Sequence, residues 1–295
     1  MIDAKEILSH LNSQQRQAVE YIDGALLVLA GPGSGKTRVI AHRIAYLTNA
    51  NSVKSHRILA VTFTNKAARE MKDRIASLIG DRAIDSISLG TFHSISARIL
   101  RIRGNSIGIP NNFVIFDRAD QVAAVKECMA SLDIDPKRFA PLTILSAISK
   151  SKAELMDAED YKKSVNDFFQ EVVSRVYVDY QKILRDSIAL DFDDLLMETV
   201  RLYGEDPNAL EQDANLYEYV HIDEFQDTNI AQYILSKKWS SVNGNICVVG
   251  DPDQSIYSWR SADVRNILDF ERDFPNAKVV RLEQNYRSTQ IILDS

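Results

Sequence analysis

The stretch that most limits how this chain folds is Ala25-Leu-Leu-Val-Leu-Ala-Gly-Pro-Gly-Ser-Gly-Lys-Thr37. Six consecutive apolar residues, Ala25 to Ala30, suit a strand buried on both faces, as in a parallel sheet. A turn rich in glycine follows, with Gly31, Gly33 and Gly35 around Pro32 and Ser34. Beyond it, Ile40, Ile44 and Leu47 recur at helical spacing. Strand, glycine turn and helix in that order form the context of a phosphate-binding loop. Glycines let backbone N–H groups converge on phosphates, and the helix N-terminus adds partial positive charge. Lys36 is placed to reach the β- and γ-phosphates of a nucleotide, and the Thr37 hydroxyl to ligate Mg²⁺. The strict pattern opens with glycine; here Ala30 holds that place, which the looser form allows. The expected phosphate cradle therefore runs from Ala30 through Thr37 to Arg38.

A chain of 295 residues can bury large cores and suggests about two domains. Its apolar and charged fractions, 45% and 26%, are those of an ordinary globular protein. Cys128 and Cys247 both sit in apolar runs without metal-type spacing, which fits buried thiols in a reducing compartment. The histidines form no zinc-type pair, the N-terminus does not have the pattern of a signal peptide, and no apolar run reaches the ~18 residues of a membrane span. A cytoplasmic protein without membrane contact is expected. The formal net charge is −6, but it is unevenly spread: residues 36–103 carry 13 Lys/Arg against 4 Asp/Glu, and residues 186–227 carry 13 Asp/Glu against one Arg. The basic segment suits a phosphate backbone, although two solvated faces of opposite sign would give the same count.

Residues 5–23 read as one helix, capped by Asn12 or Ser13 if it starts there. Further strands are expected at Arg57–Phe63, Ile87–Phe92, Tyr219–Glu224, Asn245–Asp251 and Ala277–Leu282, with helices at Asn65–Ile75 and Ser94–Arg103 between them. Such alternation implies βαβ units and a doubly wound parallel sheet. Between residues 109 and 203 there is no glycine, and the apolar spacing turns helical. Val122, Val125, Met129 and Leu132 mark one helix, with Asp117 as its cap; Phe169, Val172, Val173, Val176, Tyr180, Ile183 and Leu184 mark a longer one. Residues 109–188 are accordingly read as an all-helical insertion into an α/β domain made of 1–108 and 189–285, with 286–295 opening another domain.

A phosphate loop needs an acid at the end of a neighbouring strand to hold Mg²⁺. His221-Ile-Asp-Glu-Phe-Gln-Asp-Thr228 supplies Asp223 for the metal and Glu224 to take a proton from an attacking water. Gln254 follows a further strand end and is placed to touch the γ-phosphate. Tyr257, Trp259 and Arg260 lie just beyond, where two aromatics and a guanidinium suit stacking on bases of a single strand; a core role for the two aromatics fits the composition as well.

Taken together, Ala30–Thr37, Thr62-Phe-Thr-Asn-Lys-Ala-Ala68, Gly90-Thr-Phe-His93, Asp191-Phe-Asp-Asp-Leu-Leu196, Asp223-Glu-Phe-Gln-Asp227, Gly250–Arg260 and Gln284-Asn-Tyr-Arg-Ser288 resemble, in order, the motifs of superfamily 1 DNA helicases of the UvrD/Rep/PcrA type. Leu11–Val19 resembles their adenine-reading motif. The likeness runs from about residue 8 to the C-terminus and is weakest in the helical stretch. It implies a RecA-like motor domain, with Gln15 reading the adenine edge, Tyr286 stacking on the adenine and Arg287 on the γ-phosphate. It also implies that Gln254 couples nucleotide state to DNA. Phe63, Asn65, Thr91, His93, Tyr257, Trp259 and Arg260 would then line the groove for single-stranded DNA or for duplex/single-strand junctions. The family's second motor domain, with the arginine it contributes to the nucleotide, is expected after about residue 285. The chain ends at Ser295, inside what resembles that domain's first helix, Thr289 to Asp294.

Two functions are consistent with these residues: the ATP- and DNA-binding half of a DNA helicase, near-inactive alone, for which the resemblance implies 3′-to-5′ movement, or a DNA-binding module that takes ATP as a ligand without turnover. A small-molecule phosphotransferase shares only the phosphate loop and leaves Tyr257-Ser-Trp-Arg260 and the basic segment without a role.

Overall fold

The apolar runs form strands where uninterrupted β-branched and leucine residues can be buried on both faces. The computed structural model describes residues 3–254 and 265–286. Within them the strands are β1 (Leu26–Ala30), β2 (Ile58–Thr62), β3 (Ser88–Thr91), β4 (Val114–Ile115), β5 (Ala189–Leu190), β6 (Tyr219–Ile222), β7 (Ile246–Gly250) and β8 (Lys278–Leu282). Six of them build one parallel sheet in the order β3-β2-β6-β7-β1-β8, with Val28 of β1 opposite Val249 on one side and Val280 on the other. Helices Lys36–Asn49, Asn65–Ile79, Phe92–Arg103, Ile230–Trp239 and Arg265–Asp273 connect successive strands. This is the α/β architecture with a doubly wound parallel sheet that the alternation of runs implies.

Alternate strand positions face opposite ways. Leu26, Val28, Cys247 and Val249 pack against Ile40 and Ile44 of the helix that follows β1. A separate aromatic group, Phe92 stacked on Trp239 at 5.8 Å and Phe225 edge-on to Phe270 at 5.7 Å, completes the core of this unit. Its first residues differ from the single helix expected over 5–23. There are two helices, Ala4–Ser9 and Ser13–Glu20, because Asn12 ends the first run by capping the second: its side chain accepts from the Gln15 N–H while its own N–H donates to the Gln15 side chain.

A second compact unit comprises Ser96–Pro207 and Asn229–Gln232. The helical periodicity of 109–188 becomes helices Arg118–Ser131, Pro141–Ala153, Ala158–Lys163 and Phe168–Asp186. Asp117 caps the first through the N–H groups of Ala119 and Asp120, and Asp167 caps the last. The stretch is not purely helical: Val114–Ile115 pairs in parallel with Ala189–Leu190, a two-residue ladder too short to leave a periodic signature. Val125, Ile144, Ile148, Val173, Val176 and Tyr180 form the core.

That core also holds an ionic group. Lys152, fully buried, places its Nζ 2.7 Å from both Asp191 Oδ2 and Asp194 Oδ1. The Tyr180 hydroxyl donates to Asp191 Oδ2 at 3.0 Å, and Gln181 Nε2 donates to Asp194 Oδ1 at 3.2 Å. Asp191 and Asp194 also form the capping box of helix Phe192–Glu205. Burial, with the neighbouring Asp191, pushes the Asp194 carboxyl up to about 7. Burial alone would lower Lys152, but the two aspartates hold it above its ordinary value. Cys128 and Cys247 are both buried and unpaired. Among the described residues no helix is long and apolar enough to cross a membrane.

Candidate phosphate-binding site

The phosphate loop sits where β1 ends and helix Lys36–Asn49 begins. Gly33 and Gly35 take φ of 74° and 90°, the left-handed region open to glycine, and Gly35 is the N-cap of the helix. The loop closes on itself and on its neighbours. The Ser34 hydroxyl donates to Gly31 O at 2.6 Å, Gln15 Nε2 donates to Ser34 O at 2.9 Å, and the Tyr286 N–H donates to Gly33 O at 3.0 Å. A Cβ on Gly35 would stand 3.0 Å from Gln15 Nε2. Ala30 is buried at the end of β1, and the neighbouring Pro32 at the loop tip is exposed.

Parallel strands bring their carboxyl ends to one edge, so residues far apart in sequence converge there. Thr37 Oγ1 donates to Asp223 Oδ2 at 2.9 Å, joining the loop to the end of β6. Lys36 Nζ lies 3.8 Å from Glu224 Oε2 and 3.8 Å from Asp251 Oδ2, the latter following β7. Burial, then the charge of Glu224, pushes the Asp223 carboxyl up to about 6. Thr37 and Asp223 thus present two oxygen donors side by side, the donor type and number that fit a hard divalent cation completed by water and phosphate oxygens. Glu224 has φ 51° and ψ 46°, a left-handed backbone on a residue with a Cβ, beside the Lys36 ammonium and the Asp223 carboxyl.

The remaining expected residues are placed as follows. Gln15 is fully buried, with Nε2 on Ser34 O and Oε1 accepting from the Asn12 N–H, so it braces the loop. Asn12 Nδ2 donates to the Tyr286 hydroxyl at 2.8 Å, and Tyr286 is itself half exposed beside the loop. Arg38 Nη2 donates to His10 O at 2.7 Å, tying the start of the helix to the segment before Asn12. Gln254 donates through Nε2 to Asp251 Oδ2. Phe63 and Asn65 follow β2 and His93 follows β3, and the pairing of Thr62 with Thr91 sets all of them along the same carboxyl edge. Thr91 is committed to a reciprocal cap: its N–H donates to Ser94 Oγ at 2.8 Å and its Oγ1 accepts from the Ser94 N–H at 3.2 Å. Tyr257, Trp259, Arg260 and Arg287 lie outside the described residues, as does the helix expected at Thr289–Asp294.

Two groups at this edge had no role in the sequence reading. Asp251 shares Lys36 with Glu224. Gln226 bonds Glu224, Asp227 and the Asp251 N–H at once. Both lie in stretches with signals, the acid at a strand end and the run Asp223–Asp227, but a partner across strands is invisible to spacing along one. A buried arginine was also missed. Arg43 donates to the carbonyls of Ala18, Tyr21 and Ile22, the last turn of the helix that carries Gln15 and the residues just past it, and so fastens that helix to the one that follows the loop.

Residues 11–275 match the family described as UvrD/REP helicase N-terminal domain. The chain is 52% identical over 290 residues to the protein named ATP-dependent DNA helicase PcrA of Bacillus subtilis (strain 168), covering 98% of this chain and 39% of that protein. It is 50% identical over 289 residues to the protein of the same name from Staphylococcus aureus (strain Mu50 / ATCC 700699), covering 98% and 40%. The chain thus spans about two fifths of the length of these curated relatives. With a family match over residues 11–275, most of its length, the chain belongs to the UvrD/REP helicases and carries their N-terminal domain.

Proposed function

We propose that this chain is the ATP- and single-stranded-DNA-binding half of a DNA helicase that moves 3′ to 5′, its second motor domain lying elsewhere in the protein. The observation that carries the reading is the meeting of Lys36, Thr37, Asp223 and Glu224 at one sheet edge in a chain of this family. In this reading the loop amides and Lys36 hold the β- and γ-phosphates of ATP. Thr37 and Asp223 would hold Mg²⁺, which when bound supplies positive charge against the phosphate oxygens. Glu224 accepts a proton from a water whose oxygen attacks the γ-phosphorus as the bond to the β-phosphate oxygen breaks. Tyr286 packs on the adenine beside Gln15, and Gln254 and Arg287 face the γ-phosphate. Phe63, Asn65, Thr91, His93, Tyr257, Trp259 and Arg260 make the DNA groove, at single strands and junctions. A protein acting on cellular DNA is proposed to work in the cytoplasm. Residues 1–295 alone are proposed to bind ATP with little turnover, because an arginine from the second motor domain is worth ~10³–10⁵ in rate.

Calorimetric titration of Lys36→Ala with ATP and Mg²⁺, beside a thermal melt, tests the site. The expected result is a folded protein with sharply weakened binding; unchanged affinity in a folded variant sinks the assignment.

A further inference from the structure

Gln226 is 1% exposed, and both ends of its side-chain amide are occupied. Its Nε2 donates to Glu224 Oε2 at 2.9 Å and to Asp227 Oδ2 at 3.3 Å, while its Oε1 accepts the Asp251 N–H at 3.0 Å. Asp251 in turn accepts from Gln254 Nε2 and from the Asp253 N–H, and stands 3.8 Å from Lys36 Nζ. The amide therefore bridges the end of β6 to the end of β7. Room for it is made by Gly250, where a Cβ would stand 2.9 Å from Gln226 Oε1 and 3.3 Å from the Gln226 backbone nitrogen.

Two carboxylates need donors here and one N–H needs an acceptor. A primary amide offers two donors and an acceptor on one rigid plane. Glutamate keeps the acceptor and loses both donors; methionine loses all three; asparagine is one methylene short. The group being held, Glu224, sits on a left-handed backbone that must be kept in place by its surroundings.

We infer that Gln226 is a positioning residue that fixes the Glu224 carboxylate and ties it to the Asp251–Gln254 stretch, so that the proton acceptor and the γ-phosphate-facing glutamine move as one piece. Gln226 acts through Glu224, since its amide is taken up by protein groups. The inference rests on the proposed role of Glu224.

The test is DNA-stimulated ATP turnover, with calorimetric ATP affinity and thermal melts, on the protein in its full natural length. Gln226→Met and Gln226→Glu should each lower kcat, by up to ~100-fold for a displaced catalytic group, and leave ATP affinity within about twofold of wild type. Gly250→Ala should lower kcat in the same direction by displacing an intact Gln226, which keeps the proposal testable if the Gln226 variants do not fold. In a cycle with Gln254→Ala, the double variant should lose less than the product of the single losses, since both changes cut one chain of bonds. Wild-type kcat in a folded Gln226→Met or Gly250→Ala, ATP affinity that falls in step with kcat, or strictly multiplicative losses overturn it. Glu224→Gln separates the two levels. If that variant turns over normally, the proton-acceptor reading fails and takes this inference with it; if it is inactive while Gln226→Met is not impaired, only the positioning role is lost.

Discussion

Lys152→Met removes the centre of the buried ionic group in the helical unit. Each 2.7 Å contact from Lys152 to Asp191 and Asp194 is worth on the order of 6 kcal/mol at an effective dielectric of ~20. Desolvating each of the three ions costs several kcal/mol, so the assembled group nets little. Taking away the ammonium alone is different: it leaves two carboxylates facing each other under full burial, and breaking a buried pair this way costs ~3–5 kcal/mol. The expected loss at pH 8 is of that size. It must shrink as pH falls. In the wild type Asp194, pushed up to about 7 from an ordinary 3.8, contributes stability that is present below about pH 4 and lost as pH rises through 7. Without the ammonium both carboxyls rise further, so the folded variant takes up more protons than the unfolded chain and regains stability towards pH 5. Urea unfolding followed by circular dichroism at pH 5 and pH 8 measures this, and amide exchange in helix Phe168–Asp186 assigns it to the right unit. Lys152→Met with Asp194→Asn should recover part of the loss. A deficit below ~1 kcal/mol at pH 8, or one equal at both pH values, refutes the charge accounting.

Three further outcomes are expected. Glu224→Gly relieves a left-handed backbone and should stabilise the chain by up to ~1 kcal/mol, read by a urea midpoint, while the same change in the protein of full natural length should abolish the proposed ATP turnover. Asp227, held up to about 6 by burial and by Glu224, loses stability as pH rises through 6; Asp227→Asn should therefore raise the urea midpoint at pH 8 and leave it unchanged at pH 4. Trp259→Ala should cost ~1–3 kcal/mol of single-strand affinity with little loss of stability if the ring stacks on a base; a loss of ~3–5 kcal/mol in folding free energy with normal DNA binding assigns the ring to the core.

The centre of the sheet was legible because β1, β2 and β7 are short, largely apolar runs, and because punctuation follows the strands: β6 and β7 end where acids begin, and β1 where glycines begin. The phosphate loop was legible because its chemistry is written in consecutive residues. What stayed hidden depends on contacts across the fold. Asn12 divides the first helical run through a cap whose partner, Gln15, also braces the loop. Charge counting fared worst. Arg43 belongs to the basic segment 36–103 yet is buried against carbonyls, and Asp191, Asp194, Asp213, Asp223 and Asp227 of the acidic segment are all buried. Part of each apparent field is thus internal wiring, and the count along the chain overstates what a passing phosphate would feel.

The burial of both cysteines has a practical consequence. Burial is the main cause that pushes the Cys128 thiol up to about 12 and the Cys247 thiol up to about 11, and with no exposed sulfur neither offers a thiolate to an alkylating dye. The native chain is therefore already blank for maleimide chemistry. Val242, 51% exposed in the turn that leads into β7, lies at the amino edge of the sheet, away from the phosphate loop. A fluorophore on Val242→Cys would be the sole label, reporting from the quiet side of the sheet without crowding the edge where the ligands are proposed to bind.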